Sequence, residues 1–289
     1  MIPPDIIRSW LFVPGHRQSM VEKSLLLSAD AVIFDLEDAV PPDEKQTARD
    51  ILTAILSESP RNKDPFIFVR VHPSSHSEHA RDLAAVVRRR LTGLVLPKVG
   101  TADAITRLED DVSLRESIAG RPNQLIRIVP MIESASGLVN AQEIVESSDR
   151  VFGLMFGAED YALDVGIPVS AGSDAFGLAH ARATMVVVAA SRGVHSIDRV
   201  FVDYRDDEGL ERDALASRSM GFTGKSVIHP KQIDIVNSTF RPTKAEAEEA
   251  QRVVDAFENS DGGVVSVDGR MVDWPVLERA KRVVEEARH

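Results

Sequence analysis

Short apolar runs alternate with amphipathic stretches along most of the chain. The runs predict strands at Ser9–Val13, Ala31–Leu36, Phe66–Val71, Gly93–Pro97, Leu125–Ile132, Val151–Gly157, Arg199–Asp203 and Gly224–His229. Helical spacing fills the intervals, as in Ser19–Leu27, Asp43–Leu56, Glu78–Arg89 and Ser134–Ser147. The strand runs are apolar throughout rather than at every second position, so both faces are expected to be buried, as in a parallel sheet. Eight strand–helix units in succession predict an α/β fold, a (β/α)8 TIM barrel over residues 1–240. A doubly wound sheet is the structural alternative, but the turn Pro14-Gly15-His16-Arg17-Gln18-Ser19-Met20 lacks its glycine-rich pattern.

Beyond the eighth unit the pattern changes. Pro242–Glu258 reads as a charged amphipathic helix and Asn259-Ser260-Asp261-Gly262-Gly263 as a turn. Val264–Val267 and Met271–Val272 flank Asp268-Gly269-Arg270 as a small hairpin, and Pro275–Arg288 is a second helix. This helix–hairpin–helix extension, 241–289, is expected to be too small for a core of its own. It would act as a lid that packs on the barrel or on a neighbouring subunit.

Composition adds boundaries. With 43% hydrophobic and 27% charged residues the chain is of ordinary globular type. A net charge of −11 argues against nucleic acid as a partner, while leaving room for a local basic pocket. The lack of cysteine excludes disulfides and thiolate metal sites. Met1–Gly15 has neither the basic leader nor the cleavage site of a signal peptide. The longest apolar segment, Ala183–Ala190, is far shorter than the ~20 residues that span a bilayer. The expectation is a cytoplasmic protein without a membrane partner.

The chemistry gathers at strand ends, where barrel active sites are built. Strand two ends in Asp35-Leu36-Glu37-Asp38, strand three in Arg70-Val71-His72 and strand five in Glu133. Strand six ends in Glu159 and Asp160, strand seven in Asp203 and strand eight in His229. Glu159 and Asp160 stand side by side after an apolar strand, with no Lys or Arg before Arg182. One acid at a strand end is commonly a helix cap. Acids on several strand ends repel one another unless a cation joins them, and all-oxygen ligands favour Mg²⁺ or a similar hard ion.

Three other patterns carry less. Gly224-Lys225-Ser226 is not a nucleotide loop, because Ser219 stands where the first glycine is required. His72, His76 and His79 read as solvated loop histidines, and Arg88-Arg89-Arg90 as a solvated helix end. Arg17 and Lys23, after strand one, are the better phosphate candidates.

The stretches LFVPGHRQSMVEKSL, AVIFDLEDAVPPDEKQTAR, VRVH, VLPKV, VPMIESASGL, LMFGAEDYALDVG, GKSVIHPKQI and DGRMVDWPVLERA together resemble the citrate lyase β-subunit/malyl-CoA lyase family, from Leu11 to Ala280. The resemblance implies a Mg²⁺-dependent lyase that cleaves or forms a carbon–carbon bond in a 3-hydroxyacyl-CoA thioester, such as citryl-, malyl- or citramalyl-CoA, with an acyl-CoA and a 2-oxo acid as partners. It also implies homo-oligomers, trimers or hexamers. Glu133 and Asp160 match the metal ligands. Arg70 matches the arginine that holds the oxo acid, with Glu37 and Asp38 supporting it and the metal's waters. Phe12, Arg17, Lys23, Ile228 and His229 match substrate- or CoA-binding positions. Asp273 matches an acid that reaches a neighbour's active site, and in the condensation direction it is the candidate base for the acyl-CoA methyl group. Alternatives to weigh are a metal aldolase on free hydroxy-oxo acids, a subunit active only within a larger complex, and a thioesterase side activity.

Overall fold

Eight parallel strands close on themselves in chain order: β1 (Ser9–Pro14), β2 (Ala31–Asp35), β3 (Phe66–Arg70), β4 (Gly93–Leu96), β5 (Arg127–Ile132), β6 (Gly153–Phe156), β7 (His195–Asp198) and β8 (Gly224–Val227). The ring is sealed where β8 pairs with β1, Trp10 opposite Ser226 and Leu11 opposite Val227. The fold is a (β/α)8 TIM barrel. This computed structural model describes residues 6–62, 64–120, 126–168, 176–259 and 263–288. It separates into two units, Met1–Asn237 and Ser238–His289.

Helices alternate with the strands: α1 (Gln18–Ser24), α2 (Lys45–Ser57), α3 (His79–Val86), α4 (Ala102–Ile118), α5 (Ala135–Val139), α6 (Ala141–Glu146), α7 (Ala158–Asp164), α8 (Phe176–Arg192), α9 (Asp207–Met220) and α10 (Lys231–Phe240). Among the described residues no helix is long and apolar enough to cross a membrane. The barrel interior is filled by Trp10, Ile33, Phe68, Val95, Val129, Met155 and Ile197. The Trp10 and Phe68 rings lie 4.9 Å apart. Burying each large apolar side chain contributes roughly 1.5–3 kcal/mol. Gly93 is required beneath them, since a Cβ there would stand 2.6 Å from the Phe68 ring and 2.7 Å from the Arg127 carbonyl.

The seventh strand differs from the expectation. It is His195-Ser196-Ile197-Asp198, not Arg199–Asp203. The true strand looks polar because its acid is buried behind the sheet in an ionic layer. Asp198 accepts from Arg182 at 2.6 Å, and Lys225, fully buried on β8, reaches Asp213 at 2.6 Å and Asp198 at 3.5 Å. Asp203 is not a strand end. It lies on an exposed turn, accepting from the Arg205 N–H.

In the second unit, α11 (Lys244–Glu258) opens with a capping box between Thr243 and Glu246. β9 (Val265–Val267) and β10 (Arg270–Val272) form an antiparallel hairpin. Its turn places Asp268 at φ 51° and Gly269 at φ 76°, the pair of left-handed residues that a tight two-residue hairpin demands. α12 (Trp274–Ala287) completes the unit. Ala250, Val254, Leu277 and Ala280 form an apolar cluster between α11 and α12. The extension therefore has a small core, contrary to expectation, because both helices turn an apolar stripe toward each other. Leu125 of the expected fifth strand and Ser260–Gly262 of the expected turn lie outside the described residues.

Candidate active site

The C-terminal ends of the strands surround a cavity of about 320 Å³. Arg70, the last residue of β3, is held there by Asp35, the last residue of β2. Its Nε donates to Oδ1 at 2.8 Å and its Nη2 to Oδ2 at 2.5 Å, a bidentate pair. Asp35 is further fixed by the backbone N–H groups of Glu37 and Ala39, each at 2.9 Å. Glu37 lies 3.4 Å and Asp38 4.0 Å from Arg70 Nη1. Burial works against the charged guanidinium, but Asp35 and its acidic neighbours outweigh it and hold Arg70 above its ordinary pKa. The guanidinium also sits 5.3 Å over the Phe12 ring.

Glu133 follows β5 and is buried. Its Oε1 accepts from the Lys98 N–H at 2.6 Å. Burial, joined by the charge of Asp160, pushes its carboxyl up to about 7. β6 can approach it so closely only through Gly157, where a Cβ would stand 2.5 Å from Glu133 Oε2. Asp160, in the first turn of α7, is exposed and lines the same cavity with Glu159.

Lys98 ties the rim together. Its backbone is left-handed, with φ 55°, a conformation that costs a non-glycine residue about 1–2 kcal/mol. That turn aims its N–H at Glu133, while its side chain pairs with Glu37 and lies 3.5 Å from Asp38. Burial raises the Glu37 carboxyl despite this partner.

The donor set fits a hard cation. Glu133 and Asp160 offer only oxygen donors from adjacent strand ends, and the raised pKa of Glu133 records the cost of an acid buried beside another. Among the described residues no three His, Asp or Glu side chains form a closed metal set. Two carboxylates suit Mg²⁺, which takes the rest of its shell from water and substrate.

Of the other expected residues, Phe12 and Ile228 line the cavity. His229 stacks on Tyr204, centroids 4.7 Å apart. Arg17 caps the start of α1 and Lys23 lies in its last turn, both exposed and outside the cavity lining. Asp273 belongs to the second unit, where its Oδ1 caps α12 by accepting from the Val276 N–H at 3.3 Å. Two expectations are corrected. His72 and His79 are buried rather than solvated, because His72 Nδ1 pairs with buried Asp82 at 2.6 Å and His79 Nδ1 meets the His72 carbonyl at 2.7 Å. Arg90 is likewise buried, between Glu58 and Asp64, since α3 stops at Val86 and the chain turns inward. Sequence reasoning missed Asp35 as the arginine's principal partner and Lys98 as the rim's tie. Nothing in the sequence marked Lys98, two residues past β4, because its part depends on its backbone angle.

The family model described as HpcH/HpaI aldolase/citrate lyase matches residues 8–230. The chain is similar to citrate lyase subunit beta of Escherichia coli strain K12, 38% identical over 97% of this chain and 93% of that one. It is also similar to (3S)-malyl-CoA thioesterase of Cereibacter sphaeroides strain KD131, 34% identical over 97% and 94%. Among solved structures, CitE of Mycobacterium tuberculosis in complex with magnesium, acetoacetate and coenzyme A superposes with a TM-score of 0.81. That match is at 31% identity and covers 98% of this chain and 99% of that one. Motifs, barrel and relatives agree: the chain is a lyase and belongs to the HpcH/HpaI aldolase/citrate lyase family.

Proposed function

We propose that the protein is a Mg²⁺-dependent carbon–carbon lyase that splits a 3-hydroxyacyl-CoA thioester, of the citryl-, malyl- or citramalyl-CoA kind, into an acyl-CoA and a 2-oxo acid, or joins them. The observation that carries this reading is one cavity holding both a preorganised arginine and a pair of acids, buried Glu133 and exposed Asp160. Glu133 and Asp160 would hold Mg²⁺. Bound there, it supplies Lewis-acid polarisation of the oxo acid's oxygens. Arg70, locked by Asp35, offers its remaining N–H groups to the same oxygens and needs no reorganisation as charge develops. In cleavage the hydroxyl would give its proton to solvent water, its oxygen would become the new carbonyl, and the bond's electron pair would leave as the thioester enolate. That enolate must gain a proton to become the acyl-CoA. Asp273, the candidate base for condensation, would supply it by reversing its role.

Support for the CoA part comes from the relatives' names and from Arg17 and Lys23 beyond β1. A cytoplasmic location and a homo-oligomer, trimer or hexamer, with Asp273 completing a neighbour's site, belong to the same reading. A second reading, a subunit active only within a larger assembly, is favoured by the relatives that are named subunits. The test incubates the purified protein with a panel of 3-hydroxyacyl-CoA thioesters and with the matching free acids, with Mg²⁺ or with a chelator, and follows both products. Mg²⁺-dependent release of acyl-CoA and oxo acid is expected. Turnover of only the free acids would favour the aldolase, release of free CoA alone a thioesterase, and no turnover the assembly subunit.

A further inference from the structure

Ser226 lies within β8, 2% exposed, and is one of the residues lining the cavity. Its Oγ has no hydrogen-bond partner. The side chains from the neighbouring strand ends are Phe12 after Leu11 on β1, Val200 just past β7, and Ile228 just past β8. A buried hydroxyl left unpaired costs roughly 1–3 kcal/mol, and alanine would fill this wall without that cost. Chemistry therefore asks for a ligand atom opposite it.

The inference rests on the function proposed above. A 3-hydroxyacyl thioester of that class carries its carboxylate and hydroxyl at the oxo-acid end, where Arg70 on β3 and the acids after β5 and β6 would engage them. Of the oxygens whose charge changes in the reaction, the one left over is the thioester carbonyl. The thioester must run from that end toward the rim after β1, where Arg17 and Lys23 lie, and β8 is the strand sealed to β1. The wall's character agrees. A neutral hydroxyl among apolar side chains suits a neutral carbonyl.

We propose that Ser226 Oγ–H donates to the thioester carbonyl oxygen and strengthens that bond as the oxygen gains enolate charge. The electron pair of the breaking carbon–carbon bond moves into the enolate, the enolate carbon takes up the proton, and Ser226 keeps its own. It is thus a catalytic residue for the acyl half of the substrate, as Arg70 is for the oxo-acid half.

The test compares wild type with Ser226→Ala in three measurements: kcat on the thioester that wild type turns over best, calorimetric binding of the oxo acid product alone with Mg²⁺, and thermal midpoint. One donor to a developing oxyanion is worth up to about 10²–10³ in kcat. For a single neutral hydroxyl, a loss of about 10- to 100-fold in kcat is expected, with oxo-acid affinity unchanged and the thermal midpoint not lowered, since alanine removes an unpaired buried hydroxyl. Unchanged kcat overturns the assignment while leaving the proposed function intact. A loss matched by weaker oxo-acid binding or a lowered midpoint also overturns it, since the hydroxyl would then serve the other half or the packing. Wild type that acts on free hydroxy-oxo acids and on no thioester fails at an earlier step, overturning the proposed function and this inference together.

Discussion

Asp35 and Arg70, the terminal residues of adjacent strands, are joined by two hydrogen bonds of 2.8 and 2.5 Å, so the guanidinium plane is set by the barrel itself. The planar fork is what this arrangement uses. Arg70→Lys should lower kcat by about 10²-fold, since a point charge cannot reproduce it. Asp35→Ala should do comparable damage without touching substrate, because the buried arginine is released from its only bidentate partner among the described residues. Steady-state kinetics with circular dichroism checks both, and an active, folded Arg70→Lys enzyme would show that the arginine is structural.

Glu133 predicts opposite effects on stability and on metal. Its folded pKa, about 7, lies above the usual 4.5, so the folded state holds this proton more tightly than the unfolded chain does. The group's contribution to stability is best below 4.5, falls as pH rises through the window to about 7, and is least above it. Glu133→Gln should therefore stabilise the metal-free protein at pH 8 by on the order of 1–3 kcal/mol and raise its thermal midpoint. It should also abolish the midpoint increase that Mg²⁺ is expected to give wild type. Asp160→Asn, at an exposed position, should lose the Mg²⁺ response with little change in the metal-free midpoint. A Glu133→Gln protein that still responds to Mg²⁺ as wild type does would remove it from the ligand set.

The ionic layer behind β7 and β8 predicts sensitivity to acid. Burial opposes the charges of Asp198 and Asp213, yet Lys225 with Arg182 or Arg199 holds both carboxyls below their usual 3.8. Their stabilisation is complete above 3.8 and is lost as pH falls through their lower folded values. Lys225→Ala leaves two buried acids short of a partner and should cost about 3–5 kcal/mol at neutral pH. Its denaturation midpoint should then depend less steeply on pH below 4 than that of wild type, which urea titrations at several pH values would reveal.

Asp273 is a helix cap in its own unit, and that role alone predicts a loss of about 1 kcal/mol on substitution by alanine. If it also completes a neighbour's site, Asp273→Ala and Arg70→Ala should each be nearly inactive, and hybrids of the two should regain part of the activity. Hybrid formation is verified by co-purification with two tags. Verified hybrids with no activity would leave Asp273 to act within its own chain or as a cap alone.

The barrel was legible because its strands are buried on both faces, and runs such as Ala31-Val32-Ile33-Phe34 carry no competing pattern. β7 was not, because Asp198 is solvated by arginine and lysine side chains instead of water, and such pairing leaves no local trace. The same holds for His72 with Asp82 and for Arg90, whose partners lie far off in sequence. Glu133 and Asp160 could be singled out by position at strand ends, and they do meet in one cavity. Lys98 could not, since its part depends on a backbone angle rather than a side-chain type. Ser226 was seen only within a triplet that failed as a nucleotide loop.

The seam between β1 and β8 has a consequence for how the molecule comes into being. Phe12 and Ser226 face one cavity from opposite ends of the barrel's chain, so the wall they form does not exist until the final strand docks against the first. Until β8 pairs with β1, the cavity that Asp35, Arg70, Glu133 and Asp160 line lacks the wall that carries Ser226. Pairing β8 with β1 is the last step in chain order and joins strands more distant in sequence than any other pair of the barrel, and contacts so far apart are slow to form. Ligand present during synthesis would act on that last step, favouring the closed ring over the open one.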